Sequence, residues 1–461
     1  MQSKKIRSLA FSFYHNLIKR DRWGTVRNSY NINQWNSFRS NEHLQYDKLT
    51  KILTYCNNYV PYYAEVFKSR NITRAHLSSP SILKELPRLD KQLIRKNFTK
   101  IQSTKIAPWR IQKCSTSGST GESLVFHSDV ASAIMHAAAV FRNFSWCGSS
   151  PFEKHAMLWG ARFDESINKT IGNKFREWCR PLLFLSSYEI NEEKMSVYAK
   201  QLEMYCPHIL TSYPSALERF AYFCKENNIR IPSLCAIICS AEQLDESQRD
   251  LFREVYNVPV FNRYGSREFG SLAQECSEHN GLHVNMERVI IEVLRNDGSD
   301  CKENEVGELV VTDLDNAVMP FIRYRTGDMG LWSARKCPCG RGLKMLERIE
   351  GRVFDLIYTP SGSAISGTFW TLVLKYISSD ILSFQIRQMS ITTVVILLLM
   401  KSKIVLNPAQ RNLLKRKIYE VAPDLVYCIH YVDSIPLTKS GKRRFVLGLG
   451  YFSNKNIEES F

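Results

Sequence analysis

The spacing of hydrophobic residues changes twice along the chain, and these changes predict three regions of different structure. Up to about residue 100 the apolar positions recur at helical spacing, most clearly at 49–59 and 93–97. From about Ile111 short β-branched runs alternate with helical stretches, which is typical of an α/β domain. Four such runs predict buried strands: 155–158, 236–239, 258–262 and 308–312.

The second change comes at Arg352 and predicts a small α+β unit. Residues 384–401 are predicted as long strand, 408–420 as a helix and 425–432 as a further strand. In α/β sheets the loops that follow strand ends hold ligands, so the loops after the four predicted strands are candidate positions for a ligand. The predicted domains are a large N-terminal domain, 1–351, and a small C-terminal domain, 352–461.

Composition narrows the class of protein. Hydrophobic residues make up 44% and charged residues 23% of the 461 positions, which suits a folded globular chain and excludes a disordered or fibrous one. Lysine and arginine outnumber aspartate and glutamate by 62 to 45, and the net charge of +17 favours phosphates, nucleic acid or an anionic membrane as partners. The basic runs lack interleaved aromatic residues, so specific nucleic-acid binding is not expected. Peripheral contact between the basic N-terminal segment and anionic lipid stays open.

The number and distribution of the cysteines indicate the cellular compartment of the protein. There are 13, an odd number scattered along the chain, which predicts reduced thiols and a cytoplasmic location rather than a disulfide framework. The most apolar run, 391–400, is about half the roughly 20 residues that a membrane-spanning helix needs. The apolar patch near the start is short and no small-residue cleavage site follows it. We expect neither a signal peptide nor a membrane-spanning segment.

The first candidate for chemistry is the run of hydroxyl groups and glycines at 114–123. Glycines allow backbone N–H groups to approach a phosphate closely, and hydroxyls add further donors. The run lacks the glycine–lysine–serine ending of a Walker loop. Alone it also suits a solvent-exposed turn, because these residues are common turn formers.

Four further segments carry charged or aromatic residues at predicted turns. Segment 262–268 follows a predicted strand and offers a carboxylate for magnesium and an aromatic ring for stacking on a base. Segment 321–328 presents one carboxylate after two arginines, suited to the two hydroxyls of a ribose. Segments 351–355 and 436–444 are basic, and the second places a lysine on a glycine-containing loop, suited to a phosphate or to a carboxylate being activated. Each segment alone is also compatible with an ordinary turn.

The order and separation of the five segments are more specific than any one of them. Together they resemble the adenylate-forming superfamily of acyl-CoA synthetases, luciferases and nonribosomal adenylation domains. The short length, segment 240–242 and stretch 276–283 are most similar to phenylacetate-CoA ligase and its capsule-biosynthesis relatives. The resemblance spans about residues 87–445. It implies an α/β fold with a large multi-sheet N-terminal domain and a small, mobile α+β C-terminal lid.

The resemblance implies an ATP- and Mg²⁺-dependent carboxylic acid ligase with two half-reactions. A carboxylate attacks the α-phosphate of ATP to give an acyl-adenylate and pyrophosphate, and an acceptor, commonly the thiol of coenzyme A, then takes the acyl group. Two alternatives stay open. One transfers the acyl group to an amine or hydroxyl of a sugar or amino acid in polysaccharide biosynthesis, and the other is a non-catalytic nucleotide-binding scaffold.

The resemblance also implies roles for individual residues. Lys442 is the adenylation lysine, and Glu268 holds magnesium. Asp328 binds the ribose hydroxyls, Arg352 contacts the ribose or a phosphate, and Tyr264 borders the adenine. The other implied nucleotide-binding residues are the phosphate loop, Ser115, Thr116, Ser117, Gly118, Ser119, Thr120 and Gly121, and the adenine-bordering Ser240, Ala241 and Glu242.

Three positions depart from the family pattern. Glu122 follows the phosphate loop where the family usually has proline and often a lysine soon after, which removes a positive contact. Arg267 replaces the usual threonine before the magnesium carboxylate, and Phe354 replaces a polar residue of the hinge. The implied catalytic set is otherwise retained, which favours catalysis over the scaffold alternative.

Two further groups of residues are candidates with weaker patterns. Two cysteines separated by one residue, with a third cysteine and a histidine upstream, suit a closed tetrahedral zinc site. The resemblance gives its ligands as Cys276, His283, Cys337 and Cys339, and the alternative is reduced cysteines in a turn. Trp159 follows the predicted strand at 155–158 and Tyr213 precedes a predicted helix, and both are candidates for the acyl pocket or for the core.

Overall fold

The coordinates are a computed structural model. It describes residues 2–14, 22–79, 81–116, 124–160, 175, 177–187, 191–352, 357–361, 364–365, 367–378, 380–401, 404–436 and 444–449.

The chain before the first strand is helical where it is described, as the apolar spacing predicts. The predicted helix at 49–59 is the second half of a 22-residue helix, which begins after Ser37, whose side chain accepts a hydrogen bond from the Ser40 backbone N–H. The helices of this region are α1 (Gln2–Phe13), α2 (Trp23–Asn33), α3 (Phe38–Tyr59), α4 (Pro61–Ser69), α5 (Ile82–Glu85) and α6 (Lys91–Lys96).

Most strands belong to one large mixed sheet, and all four strands predicted from apolar runs lie in it. A separate hairpin, β1 (Ile111–Ser115) and β2 (Val125–Asp129), precedes it. The sheet strands are β3 (His155–Trp159), β4 (Leu182–Ser186), β5 (Ile209–Ser212), β6 (Ala236–Ser240), β7 (Val260–Ser266), β8 (Gly270–Glu275), β9 (Leu282–Val284), β10 (Val289–Leu294), β11 (Gly307–Asp313), β12 (Tyr324–Trp332) and β13 (Met345–Arg352).

The strand order across this sheet is β10-β11-β12-β13-β9-β8-β7-β6-β5-β3-β4. The strands from β4 to β7 in this order are parallel, and the pairs from β7 to β10 are antiparallel. The parallel half therefore brings the carboxyl ends of β3, β5, β6 and β7 to one edge, where α/β sheets bind ligands. The described residues of the motifs predicted up to residue 268 lie at this edge or in the hairpin before the sheet.

Helices cover both faces of the parallel half, because its strands are apolar on both sides. One face packs against α8 (Glu192–Tyr205), α9 (Pro214–Glu226) and α10 (Glu246–Tyr256). The other packs against α7 (Ser132–Trp146) through Phe144, Ile209, Ile238 and Phe261. The antiparallel half shares a core with α3, α4 and the segment that follows them, so the N-terminal helices are part of the large fold.

The C-terminal unit has its own sheet and its own core, around Trp370, Ile396 and Leu414. Its sheet order is β18-β17-β16-β19. The α/β fold class with a small α+β C-terminal unit is confirmed. Its elements are β14 (Ile357–Tyr358), β15 (Ala364–Ile365), α11 (Gly367–Ile377), β16 (Ile381–Gln388), β17 (Thr393–Met400), α12 (Pro408–Val421), β18 (Val426–Tyr431) and β19 (Val446–Leu447).

The long strand expected at 384–401 is a hairpin of two strands, β16 and β17. The chain turns at Ser390, whose carbonyl accepts from the Thr393 N–H at 3.3 Å and whose hydroxyl accepts from the Thr392 N–H at 3.3 Å. The turn spans residues 390–393. Apolar Met389 and Ile391 stand on either side of Ser390, and β-branched Thr392 and Thr393 follow, so the residue types there remain typical of strands and conceal the turn in the sequence. None of the helices in the described part of the chain is long and apolar enough to cross a membrane.

Candidate active site

The segment predicted to border adenine follows the carboxyl end of β6. The Ser240 hydroxyl donates to the backbone carbonyl of Arg263 on β7 at 2.8 Å. Ala241 has a φ of +68°, a left-handed conformation that non-glycine residues rarely adopt. The Glu242 carboxylate accepts from the Ser215 backbone N–H at 3.0 Å. The chain therefore turns sharply at the strand end and is held there on both sides.

Two motifs that are far apart in sequence meet at the end of β7. The Tyr264 hydroxyl donates to Asp328 Oδ2 at 2.9 Å, which joins the predicted adenine-side residue to the predicted ribose carboxylate. The Asp328 backbone N–H donates to Thr326 Oγ1 at 3.1 Å, which fixes the turn before it. Asp328 on β12 is also the antiparallel partner of Arg352 on β13. Three of the predicted nucleotide-binding positions are thus neighbours in the fold.

Glu268 lies in the turn between β7 and β8, a few residues after Tyr264 along the chain. Its Oε1 accepts a hydrogen bond of 3.0 Å from the hydroxyl of buried Tyr324, the partner that the described residues provide. Tyr324 is held by stacking on Phe321, with ring centroids 5.1 Å apart and an interplanar angle of 16°. Arg267, the departure beside this carboxylate, has an exposed side chain. The predicted magnesium ligand is therefore oriented by an aromatic pair, and the arginine before it extends towards solvent.

The described ends of the phosphate loop are closed by two hydrogen bonds. The Thr116 N–H donates to the Leu124 carbonyl at 2.9 Å, and the Leu124 N–H donates to Thr116 Oγ1 at 2.9 Å. Ser115 ends β1 opposite Val125 on β2. The loop therefore begins and ends on one hairpin. The predicted residues that lie outside the described part of the chain are Ser117, Gly118, Ser119, Thr120, Gly121, Glu122, Phe354 and Lys442.

The two acyl-pocket candidates lie beside each other at the same edge. Trp159 ends β3, and Tyr213 directly precedes α9. Their ring centroids are 4.1 Å apart at an interplanar angle of 39°. Tyr213 is buried and belongs to the core on the α9 face, whereas Trp159 is half-buried. Tyr213 thus serves packing, and Trp159 is the one with surface towards the edge.

The four cysteine and histidine candidates converge, although 61 positions separate Cys276 from Cys337. Their ligand atoms all lie within 4.8 Å of one another. The Cys276 and Cys337 sulfurs are 3.6 Å apart, and the Cys339 sulfur is 3.4 Å from His283 Nε2. Burial, followed by the charge of Arg341, lowers the pKa of His283 to about 4, so the imidazole is neutral near pH 7.

The spacing of these atoms fits a tetrahedral metal. Zinc bonds of about 2.3 Å to sulfur and about 2.0–2.1 Å to nitrogen place two sulfurs about 3.8 Å apart and a sulfur and a nitrogen about 3.5 Å apart. The observed 3.6 Å and 3.4 Å agree with this geometry. A neutral imidazole is also the form that binds a metal. The donor set therefore suits a closed structural zinc site with no position for a reacting water.

The loop that carries two of these cysteines is attached to the N-terminal helices. The Gly342 N–H donates to the Gln34 carbonyl at 2.9 Å, and Asn41 Nδ2 donates to the Gly342 carbonyl at 2.8 Å. Arg341 Nε donates to Gln34 Oε1 at 2.9 Å, and its guanidinium lies over the Trp146 ring, 5.1 Å from the centroid. The cluster therefore joins the N-terminal helices, α7 and the large sheet.

The sequence analysis assigned no role to two polar residues that the structure places beside the edge. Arg263 was counted only as part of the motif at 262–268, and His136 lies in a helix with no motif. The available signal was an arginine two positions after apolar Phe261 on the same strand, where alternation predicts that both side chains lie on one face of the sheet.

Sequence comparison and structure comparison both relate this chain to known proteins. Residues 357–448 match the family of the CapK C-terminal domain. Protein CapK of Staphylococcus aureus is 26% identical over 421 residues, which cover 88% of this chain and 88% of CapK. Phenylacetate-coenzyme A ligase of Escherichia coli is 24% identical over 328 residues, which cover 68% of this chain and 71% of that enzyme.

Among solved structures, 2-hydroxyisobutyryl-CoA ligase in its postadenylation state has a TM-score of 0.72 at 17% identity, covering 88% of both chains. The similarity to CapK and to phenylacetate-CoA ligases that the motifs predict is confirmed, and the fold is that of this class of ligase.

Proposed function

We propose that this chain, which has the fold of the adenylate-forming ligases, activates a carboxylic acid with ATP and then transfers the acyl group to a thiol, that of coenzyme A. The observation that carries the proposal is the hydrogen bond between Tyr264 and Asp328 at the end of β7. It brings two motifs together at the edge where this sheet type binds ligands. The similarity to phenylacetate-CoA ligase supports a thiol acceptor.

In the first half-reaction an oxygen of the acid attacks the α-phosphorus of ATP. The bond from that phosphorus to the bridging oxygen breaks, and pyrophosphate leaves with the bonding electrons. Asp328 holds the ribose and Tyr264 the adenine side, which orients the α-phosphate. The phosphate loop from Ser115 to Gly121 donates to the β- and γ-phosphates, and Lys442 stabilises charge at the attacked group.

Glu268 would hold Mg²⁺, which neutralises phosphate oxygens when bound. Its hydrogen bond from Tyr324 fixes the direction of one carboxylate oxygen before the nucleotide arrives. Such preorganisation is favourable because the protein need not reorganise as charge develops.

In the second half-reaction the thiol sulfur attacks the acyl carbonyl, AMP leaves, and the thiol proton goes to solvent or a base. We propose that residues 352–461 act as a lid that rotates about Arg352 and moves Lys442 between the two steps. An amine or hydroxyl of a sugar or amino acid is the second candidate acceptor, and the similarity to CapK favours it. AMP release that requires coenzyme A, rather than a sugar nucleotide, distinguishes the two.

The zinc site belongs to the same proposal as a structural element. Cys276, His283, Cys337 and Cys339 would hold the ion and so tie the loop 337–342 to β8 and β9. Four protein ligands leave no open position for a reacting water, which suits a role in stability rather than in chemistry.

The test is ATP–pyrophosphate exchange with purified protein, Mg²⁺ and a panel of aryl, fatty and amino acids, with Lys442→Ala as the control. We expect acid-dependent exchange in the wild-type protein and its loss in a folded Lys442→Ala variant. Exchange at the wild-type rate in Lys442→Ala would remove the catalytic assignment of that lysine. ATP binding without exchange for any acid would favour the non-catalytic scaffold.

A further inference from the structure

Arg263 differs from the buried arginines of the large domain in lacking an acidic partner. Burial lowers the pKa of Arg263, because the charged guanidinium is less stable away from water. Its one side-chain hydrogen bond is from Nε to Ser240 Oγ at 3.5 Å, and among the described residues it forms no ion pair. The buried arginines with a carboxylate are Arg142 with Glu287, Arg249 with Glu275, Arg288 with Asp315 and Arg323 with Glu292.

The pairing of β7 and β8 shows which way Arg263 points. Gln274 lies directly opposite it on β8, and opposed residues of an antiparallel pair share a face. Gln274 Nε2 donates to the Asn143 carbonyl on α7 at 2.9 Å, so this is the α7 face. Phe261, two positions before Arg263, packs against Phe144 of α7 on the same face. The guanidinium therefore lies between α7 and the sheet.

His136 of α7 lies on the same side of the sheet, near enough to Arg263 for the guanidinium charge to act on the imidazole, and we call the surroundings of these two side chains the recess. The His136 ring lies so close to the backbone of Gly270 that a Cβ at that position would fall inside the imidazole. Among the described residues neither ring nitrogen has a hydrogen-bond partner, yet the side chain keeps some exposed surface. Burial and then the charges of Arg288, Arg263 and Arg180 lower the pKa of His136 to about 3, so it is a neutral donor and acceptor near pH 7. Within the described part of the chain, a cation and an imidazole thus lie near each other with donors that no acceptor there uses.

The position of this recess separates it from the nucleotide. Tyr264 is the next residue along β7, and side chains of successive strand residues point to opposite faces. Tyr264 reaches Asp328 on its own face, whereas Arg263 is directed at α7. Arg263 and Tyr264 are neighbours on β7. A substrate joined to the α-phosphate at this edge therefore has the Arg263 side chain within reach on the α7 face.

We infer that this recess binds a second anionic group of the acid substrate, and that the substrate class is a dicarboxylic acid whose distal carboxylate pairs with Arg263 and accepts from His136. The inference rests on the proposed function for the acid, but the recess itself is argued from the contacts above. Among the described residues the two terminal nitrogens of this guanidinium have no hydrogen-bond partner, and their geometry matches the two oxygens of a carboxylate. An apolar acid would leave this half-buried charge without a carboxylate, which is unfavourable.

The test measures acid binding directly, by isothermal titration calorimetry in the presence of AMP. Matched probes are glutarate against valerate and phthalate against benzoate, which differ by the second carboxylate. We expect the wild-type protein to bind a diacid about tenfold or more tightly than its partner, as for a hydrogen bond between charged groups. Arg263→Gln should abolish the preference, and Arg263→Lys should retain part of it because the charge remains.

Arg253→Gln is the matched control, since it removes an exposed guanidinium from α10 and should leave the preference intact. The melting temperature and the affinity for ATP check that each variant is folded and binds the nucleotide. Equal affinity for diacids and monoacids would overturn the inference. So would an equal loss for both in Arg263→Gln, which would assign Arg263 to the reacting carboxylate, or a loss of ATP affinity alone.

Exchange assays with the same acids keep the two proposals apart. Preferential binding of a diacid without acid-dependent exchange would contradict the proposed activity and support the recess. Exchange driven by monoacids alone would support the activity and contradict the diacid inference.

Discussion

Two polar regions of the large domain differ in the partners that they give to a charged side chain. One lies around Arg142 and the cysteine–histidine cluster, and the other lies at the carboxyl edge of the parallel strands. Arg142 donates to Glu287 Oε2 at 3.0 Å and to Asn285 Oδ1 at 2.8 Å. Among the described residues, Arg263 at the edge has a single weak contact, with Ser240. The Arg142 guanidinium is thus neutralised by a carboxylate within the domain, whereas the described part of the chain gives Arg263 no carboxylate.

Under the proposed function, this difference distinguishes an arginine that stabilises the domain, Arg142, from one that binds a ligand, Arg263. A buried ion pair that loses one partner is strongly destabilising, because the other charge stays buried and unpaired. A buried charge without a partner carries that cost already, so a ligand that pairs with it gains the corresponding free energy. The following predictions test the contrast, from the largest expected effect to the smallest.

Loss of a metal ligand should have the largest effect. Purified protein is expected to contain about one zinc per chain, and Cys339→Ser should lose the metal and lower the melting temperature strongly, because structural zinc contributes about 10–16 kcal/mol in small domains. Elemental analysis and thermal unfolding measure both. Cys428→Ser, at an exposed cysteine, is the control and should change neither. Wild-type protein without metal would contradict this prediction.

Breaking the paired arginine should come next. Arg142→Leu leaves Glu287 buried without its partner, and we expect the free energy of unfolding to fall by about 3–5 kcal/mol. Chemical denaturation measures the change, with Arg253→Leu as a surface control. A loss no larger than that of the control would mean that the Arg142 pair does not stabilise the domain.

Removal of the predicted magnesium carboxylate should affect activity but not stability. Glu268→Gln keeps the shape and the acceptor for Tyr324 but removes the charge, and we expect exchange to fall about 10²–10³-fold, or about 2.7–4 kcal/mol in the transition state. The melting temperature should stay that of the wild type. Glu254→Gln, at an exposed carboxylate, should leave exchange unchanged. Full exchange in Glu268→Gln would exclude a role for this carboxylate.

Removal of the unpaired arginine should have the smallest effect on stability. Arg263→Leu removes a charge that no carboxylate of the described residues neutralises, so the free energy of unfolding should stay the same or rise by about 1 kcal/mol. Comparison with Arg142→Leu under identical denaturation conditions gives the contrast directly. A loss as large as that of Arg142→Leu would show that Arg263 is part of the framework.

The sequence was sufficient where a local pattern carries the information. Apolar runs predicted the central strands, and the order of five motifs predicted the ligase-like fold before any contact was known. It was insufficient at the hairpin between β16 and β17, because Met389 and Ile391 continue the apolar pattern through the turn. The roles of the nucleotide-site residues and the division into two moving domains stay predictions.

The fold class, the similarity to adenylate-forming ligases and the residue types available for nucleotide chemistry follow from local spacing along the chain. The contact of Tyr264 with Asp328 and the convergence of four dispersed cysteine and histidine side chains follow only from the tertiary structure. So does the contrast between Arg142, which has an acidic partner, and Arg263, which has none among the described residues. The fold brings Tyr264 to Asp328 and Cys276 to Cys337, and the residues of each pair are 61 or more positions apart in sequence. The neighbours that the fold gives to each charged side chain also decide which charges are neutralised, because a charge is neutralised only where an opposite charge lies next to it.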